Sequence, residues 1–308
     1  MKLQLCLYLF FFILCLSGCA STSSKSVVVN SKPSLEHVIL AEPLSVSYKS
    51  ELTLIKLGEI LQRAELTDEQ RAKLYYDRGV IYDSIGLKSL ARLDFNRAIR
   101  LKPDLADAYN FIGIHFTLAE DFAEAYEAFD STLELQPDFS FAYLNRGISL
   151  YYGGRFKLAV DDFEAFYELD EDDPYRAVWL YIAEYEVDVL AAKNRLSSSQ
   201  EKIDESQWAY QLTSLFLEEI TPDQFLKGLT EGISTNHELA DRLCEAYFYL
   251  GKLSAMKGDT GIAANFYKLS LATNVYEYVE HKYAKLELNR MRAQKAKERS
   301  TQENGGSI

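Results

Sequence analysis

Cysteine, histidine, tryptophan and proline are all scarce in this chain, and each scarcity excludes something. Among 308 residues there are four Cys, four His, two Trp and six Pro. Cys6, Cys15 and Cys19 lie in or directly behind an apolar N-terminal run, which leaves Cys244 without a partner for an intramolecular disulfide. Cys244 therefore reads as a small buried hydrophobe. His37, His115, His237 and His281 stand too far apart to pair as metal ligands at helical or loop spacing. Nucleophile elbow, phosphate loop and dinucleotide fingerprint are all missing. No catalytic residue, metal or cofactor is expected, and the chain does not read as an enzyme. Positive charge is also in deficit, with 33 Lys and Arg against 46 Asp and Glu. A nucleic-acid partner, whose phosphates demand a basic surface, is thereby excluded. The longest apolar run, Leu3 to Leu16, falls short of the about 20 residues a membrane-spanning helix needs.

That run has another use. Met1-Lys2, the apolar stretch and the exit Leu16-Ser17-Gly18-Cys19 form a charged start, a short apolar core and a small-residue end. Residues 1–18 thus read as a secretory signal peptide. The exit resembles the lipobox of bacterial lipoproteins. The resemblance implies cleavage before Cys19, acylation of Cys19, and a periplasm-facing lipid anchor. Ala20, rather than Asp, at the next position implies outer-membrane sorting. Stable anchoring takes at least two acyl chains, which a triacylated Cys19 exceeds. Residues 19–50, rich in Ser and Val with Pro33 and Pro43, read as a lipid-anchored tether.

Beyond the tether the aromatic residues are plentiful, with 21 Tyr and 17 Phe. Their spacing explains them. Gly79, Gly113 and Gly147 are 34 residues apart. Four residues before each stands Tyr75, Tyr109 or Tyr143; twelve after, Ala91, Ala125 or Ala159; sixteen after, Phe95, Phe129 or Phe163. Pro103 and Pro137 close the first two units and Pro174 follows the third. This is similar to the tetratricopeptide repeat (TPR), in which small residues let two antiparallel helices approach and aromatics fill the space between neighbouring units. The expected fold is all-α, a TPR helical-hairpin solenoid. A leading helix occupies 51–71, three repeats 72–173, degenerate helical repeats 174–243, a fourth TPR-like repeat 244–277, and a C-terminal capping helix with a disordered tail 278–308. Trp179, Leu180 and Trp208 read as residual core positions. Thr67 with Gln70, Thr221 with Gln224, and Thr235 with Glu238 read as capping boxes. The acidic run Asp170 to Asp173 reads as a solvated turn, since it lacks the spaced ligands of a calcium loop.

The first helices of stacked repeats line a groove. With each Gly as position 8, the partner-binding floor comprises Tyr76, Val80, Asp83, Asn110, Ile114, Thr117, Leu144, Asn145, Ile148 and Tyr151. About half of these are expected to be exposed. Asn110 and Asn145 are the favoured ligand contacts, because Asn is a weak helix former.

Three stretches, 74–99 (LYYDRGVIYDSIGLKSLARLDFNRAI), 125–155 (AYEAFDSTLELQPDFSFAYLNRGISLYYGGR) and 274–288 (NVYEYVEHKYAKLEL), resemble the NlpI family of outer-membrane TPR lipoproteins. The likeness runs over about residues 51–288. It implies a noncatalytic homodimeric adaptor that binds two periplasmic proteins, a cell-wall endopeptidase of the NlpC/P60 class and a tail-specific protease, and so promotes hydrolase turnover. The alternative is a TPR lipoprotein that assembles a pilus or secretion apparatus.

Overall fold

The computed structural model describes residues 38–63 and 65–305. The signal peptide 1–18, Cys19, the first part of the tether and His37 lie outside the described residues. Fourteen helices form among the described residues, and several of them open on a side chain that occupies free backbone N–H groups. All three capping boxes are present: Thr67 with Gln70 opens α2 (Asp68–Ser84), Thr221 with Gln224 opens α11 (Pro222–Lys227), and Thr235 with Glu238 opens α12 (Asn236–Met256). Asp173, from the acidic run, accepts from the Tyr175 and Arg176 backbone and opens α8 (Pro174–Tyr185), with Pro174 at the first helical position. Asp188 opens α9 (Val189–Gln200) in the same way.

The helices pair as antiparallel hairpins. α2 pairs with α3 (Lys88–Leu101), α4 (Ala106–Ala119) with α5 (Phe122–Leu135), and α6 (Ser140–Tyr152) with α7 (Phe156–Tyr167). α8 pairs with α9, and α12 with α13 (Thr260–Leu271). The spacing rule has a steric basis. A Cβ built on Gly113 would stand 2.6 Å from the Phe129 ring; on Gly79, 2.7 Å from Phe95; on Gly147, 2.9 Å from Phe163; on Gly251, 2.5 Å from Tyr267. The second-helix aromatic therefore sits directly on the first-helix glycine of its own pair. This corrects the expectation that these rings chiefly fill the gaps between units; Phe111 does that, stacked on Phe95 at 4.7 Å. The hairpin turns need a left-handed residue, supplied by Gly86 (φ 79) and Gly154 (φ 74). Glu120 (φ 63) takes the same place in the middle unit.

One polar feature varies as a unit. Just before the glycine, Arg78 forks onto Asp94 (2.6 and 3.0 Å) and Arg146 onto Asp162 (2.8 and 2.7 Å). In the middle repeat the same two positions are Ile112 and Ala128, both buried. Burial pushes the Asp162 carboxyl above its ordinary range more than Arg146 pulls it down. Such a pair sits near break-even, and an apolar pair can stand in its place.

Four boundaries differ from the sequence reading. Residues 38–47 are docked rather than a loose tether. The Tyr247 hydroxyl donates to the Ile39 carbonyl and accepts from its N–H, the Leu44 N–H donates to the Thr273 carbonyl (2.9 Å), and the Glu42 backbone exchanges two hydrogen bonds with the Asn236 side-chain amide. The leading helix α1 is Tyr48–Arg63. Residues 201–235 hold only two short helices, α10 (Tyr210–Phe216) and α11, because Glu218 at φ 63, Pro222 and Gly232 at φ 73 interrupt any longer one. Trp208 there is half-buried, unlike Trp179 and Leu180 in the core. Finally, α14 (Val279–Gly305) continues through the basic stretch expected to fray, consistent with its Ala, Lys, Arg, Gln and Glu content.

Gly113→Leu should lose at least about 1–3 kcal/mol through overpacking against Phe129. At about 2–4 °C per kcal/mol the loss is readable as a fall in melting temperature, whereas Gly261→Ala, with open space around its Cβ, should not lower it. In a second melting series, Asp162→Ala alone should lower the melting temperature, because it removes the buried one of the two carboxylates that Arg146 bonds and leaves it only the more exposed Asp130 at 2.7 Å. The Arg146→Ile/Asp162→Ala pair, which copies the middle repeat, should recover most of that; additive losses would show that the middle repeat does not compensate in this way.

Candidate docking groove

The first helices of successive pairs are joined by buried polar links. Asn145 Nδ2 donates to Asn110 Oδ1 at 3.0 Å, from α6 to α4. His115 Nε2 lies 2.9 Å from Asp83 Oδ1, from α4 to α2. Of the expected groove residues, Asp83, Asn110, Ile114, Thr117, Leu144, Asn145 and Ile148 are buried, while Tyr76, Val80 and Tyr151 are half-buried. The expectation of substantial exposure is wrong for a physical reason. The two Asn side chains are joined by one amide hydrogen bond between helices, and Ile114, Leu144 and Ile148 belong to the core. Thr117 donates to its own helix at the Gly113 carbonyl (2.9 Å).

What closes the groove is the chain itself. α14 crosses the C-terminal ends of α2, α4 and α6. Lys282 Nζ reaches Asp83 Oδ2 at 3.2 Å. Tyr283 stacks on Tyr152 with ring centroids 5.4 Å apart. The Tyr152 hydroxyl donates to Glu287 (3.0 Å), Arg290 donates to the Tyr152 carbonyl (2.8 Å), and Arg290 pairs with Glu120 at 3.4 Å. Cations thus meet helix C-termini, where the backbone carbonyls favour them. Burial alone would raise the Asp83 carboxyl, but His115 and Lys282 outweigh it and hold the group at about 2. Beside α14 remains a cleft of about 240 Å³ lined by Tyr151, Phe156, Glu186, Lys252 and Arg290. Burial would lower the Lys252 ammonium, but Glu287 (2.8 Å) and the Tyr151 hydroxyl (2.9 Å) outweigh it and raise it. Among the described residues no group of three or more His, Cys, Asp or Glu is placed to hold a metal ion.

Residues 72–105 match the tetratricopeptide-repeat family model. The match begins at Ala72, the position that numbering Gly79 as 8 makes the first of the repeat. These residues form a tetratricopeptide repeat within an all-α helical stack. Among solved structures, the chain is similar to one from the APC/C Cut9–Hcn1 hetero-tetramer at 17% identity, covering 79% of this chain but 46% of that one, with a TM-score of 0.47. It is similar to a tetratricopeptide repeat protein from Parabacteroides merdae at 17% identity, covering 79% and 78%, with a TM-score of 0.45. It is also similar to PilF of Pseudomonas aeruginosa at 18% identity, covering 74% and 99%, with a TM-score of 0.44.

The TPR pattern points to Tyr151 but not to Lys252, Lys282, Glu287 or Arg290. For Lys252 the one visible signal is a charge within the apolar stretch Leu250-Gly251-Lys252-Leu253, whereas Lys282, Glu287 and Arg290 lie in a helix so rich in charge that nothing singles them out. A second group also goes unannounced. Glu280, in the first turn of α14, accepts from the Tyr249 hydroxyl (2.9 Å), and Glu245 on α12 accepts from the Tyr175 hydroxyl of α8 (2.7 Å). Burial raises both carboxyls, and the Glu280 charge raises Glu245 further, to about 8; the Tyr175 hydroxyl and Arg242 oppose the rise at Glu245, and the Tyr249 hydroxyl and Lys282 oppose it at Glu280. Cys244, next to Glu245, is a free buried thiol pushed up to about 12 by burial.

The pH dependence follows. A carboxyl whose folded pKa lies above its unfolded value makes the folded state bind the extra proton, so stability falls as pH rises from about 4.5 to about 8. Asp83 acts oppositely, but only below about pH 4. Buried His281, lowered to about 4, adds stability as pH rises to about 6.5, so the net decline in melting temperature is expected between about pH 6.5 and pH 8.5, and Glu245→Gln should flatten it. An equal slope in the variant would remove Glu245 as its source.

Proposed function

We propose that this TPR chain is a noncatalytic, lipid-anchored adaptor on the inner face of the outer membrane. The observation that carries the scaffold reading is the repeat stack itself, closed along one rim by α14 and open at the Tyr151–Phe156–Lys252–Arg290 cleft. Paired aromatic and charged side chains on rigid helices suit the recognition of a protein segment. The lipobox ending in Cys19 supports the anchor, and the resemblance to the NlpI family supports the partners: a periplasmic cell-wall endopeptidase and a tail-specific protease, bound by a homodimer. Such an adaptor works by raising local concentration, commonly to millimolar for short linkers, so weak contacts suffice. The pilus or secretion reading keeps the same scaffold chemistry with other partners. The likeness to PilF concerns fold and does not choose between them.

Purification from detergent-solubilised envelopes, with the acylated chain as bait and mass spectrometry as readout, separates the readings. Enrichment of a cell-wall hydrolase and a tail-specific protease is expected, with loss of at least one in Tyr151→Ala. Pilus or secretin subunits in their place would replace the adaptor reading with the assembly one. An unshifted mass at Cys19 would remove the lipid anchor.

A further inference from the structure

Residues 201–235 are the stretch where helical pairing breaks down, and they line an open cleft of about 550 Å³ against the first turns of α12. That volume lies within the range of about 300–1,000 Å³ typical of ligand pockets. The lining has three properties that together narrow the ligand. Its charges balance: Glu205 and Glu231 against Lys227 and Arg242. In a chain with a net charge of −13 this is a local neutral patch, which offers no field for either a phosphate or a cation. Planar polar groups are dense, with the exposed amides of Gln207 and Gln211 beside the two carboxylates. These supply donors and acceptors together. Aromatic surface comes chiefly from the half-buried Trp208, with the buried Phe225 behind it at 6.1 Å between ring centroids. The Arg242 guanidinium is held 5.1 Å from the Trp208 ring centroid and donates to the Glu231 carbonyl, so one fork is already in place before anything binds.

We infer that this cleft binds a neutral saccharide of one to three rings. A sugar ring presents one apolar C–H face to an indole and a circle of hydroxyls to planar amides and carboxylates. The remaining lining residues include Ser206, Gly228 and Gly232, which form no apolar side-chain pockets of the kind a peptide segment would fill. The inference is independent of the adaptor reading, because this cleft lies apart from the Tyr151–Lys252 one and shares no lining residue with it.

The two tryptophans make the test direct. Trp179 is 2% exposed in the core, whereas Trp208 is half-buried at the cleft. Titration of the folded chain with the N-acetylglucosamine trimer should give a saturable change in tryptophan emission that disappears in Trp208→Phe. By calorimetry, Gln211→Ala, an exposed position, should bind about tenfold more weakly with an unchanged melting temperature, as expected for the loss of about one good polar contact. Maltotriose and cellotriose define which sugar geometry is preferred, and binding of any one of the three supports the inference. No saturable heat or emission change with any trimer up to about 10 mM would overturn it. So would an equal response to triglycine, or binding left intact in both Gln211→Ala and Trp208→Ala.

Discussion

The stack depends on one close approach repeated down the chain: an aromatic ring lying where a glycine has no Cβ. Gly79 under Phe95, Gly113 under Phe129, Gly147 under Phe163 and Gly251 under Tyr267 set the distance between the helices of each pair. A side chain at any of these positions would have to displace a ring that is essentially fully buried. Interiors pack to near-crystalline density, so there is little room for such a shift. Each pair still exposes apolar surface at its edges, which the next pair covers, and Phe111 stacked on Phe95 is that second contact. Stability thus passes from neighbour to neighbour, as in other repeat architectures.

On this apolar frame the polar residues act as registers. Arg78–Asp94 and Arg146–Asp162 tie first helix to second within a pair, Asp83–His115 and Asn110–Asn145 tie pair to pair, and Lys282–Asp83 and Lys252–Glu287 tie α14 to the stack. Removing a charge from water costs several kcal/mol, so these pairs add little net stability, yet each punishes a shift in register. The middle repeat, where Ile112 faces the position of Ala128, indicates that this ion pair can be dispensed with as a unit. The Asp83 site cannot be simplified so easily, because its carboxylate answers to two partners, His115 and Lys282, from two different helices.

These observations mark where sequence reading succeeds and where it stops. Steric and capping signals are local, and they were legible: the glycine-aromatic spacing, the Thr67, Thr221 and Thr235 capping boxes, and the buried Cys244. Signals that depend on a distant partner were not. Nothing in residues 38–47 announces that Tyr247 and Thr273 will bind their backbone, since backbone groups carry no sequence label. Asn110 and Asn145 look like groove residues because an isolated amide in a helix suggests exposure. They are 35 positions apart, and only the superposition of two repeats reveals that they pair. For the same reason the groove floor was assigned to residues that α14 and the core bury.

The self-occupied rim changes what a partner must achieve. α14 is part of the chain, so it meets the ends of α2, α4 and α6 at an effective concentration that an intermolecular ligand matches only at about the millimolar level. It also brings directional links, among them Lys282 to Asp83, Tyr283 on Tyr152, Glu287 to Tyr152 and Lys252, and Arg290 to Glu120 and the Tyr152 carbonyl. An incoming segment gains nothing by copying these, because it would have to displace each of them and rebury Asp83 with a cation of its own. Binding at lower cost is available next to α14, where Tyr151 and Phe156 keep part of their surface and Arg290 lies half-exposed. The placement of α14 therefore shifts recognition from the long axis of the groove to its edge, and makes the residues that anchor the helix the ones that shape the docking surface.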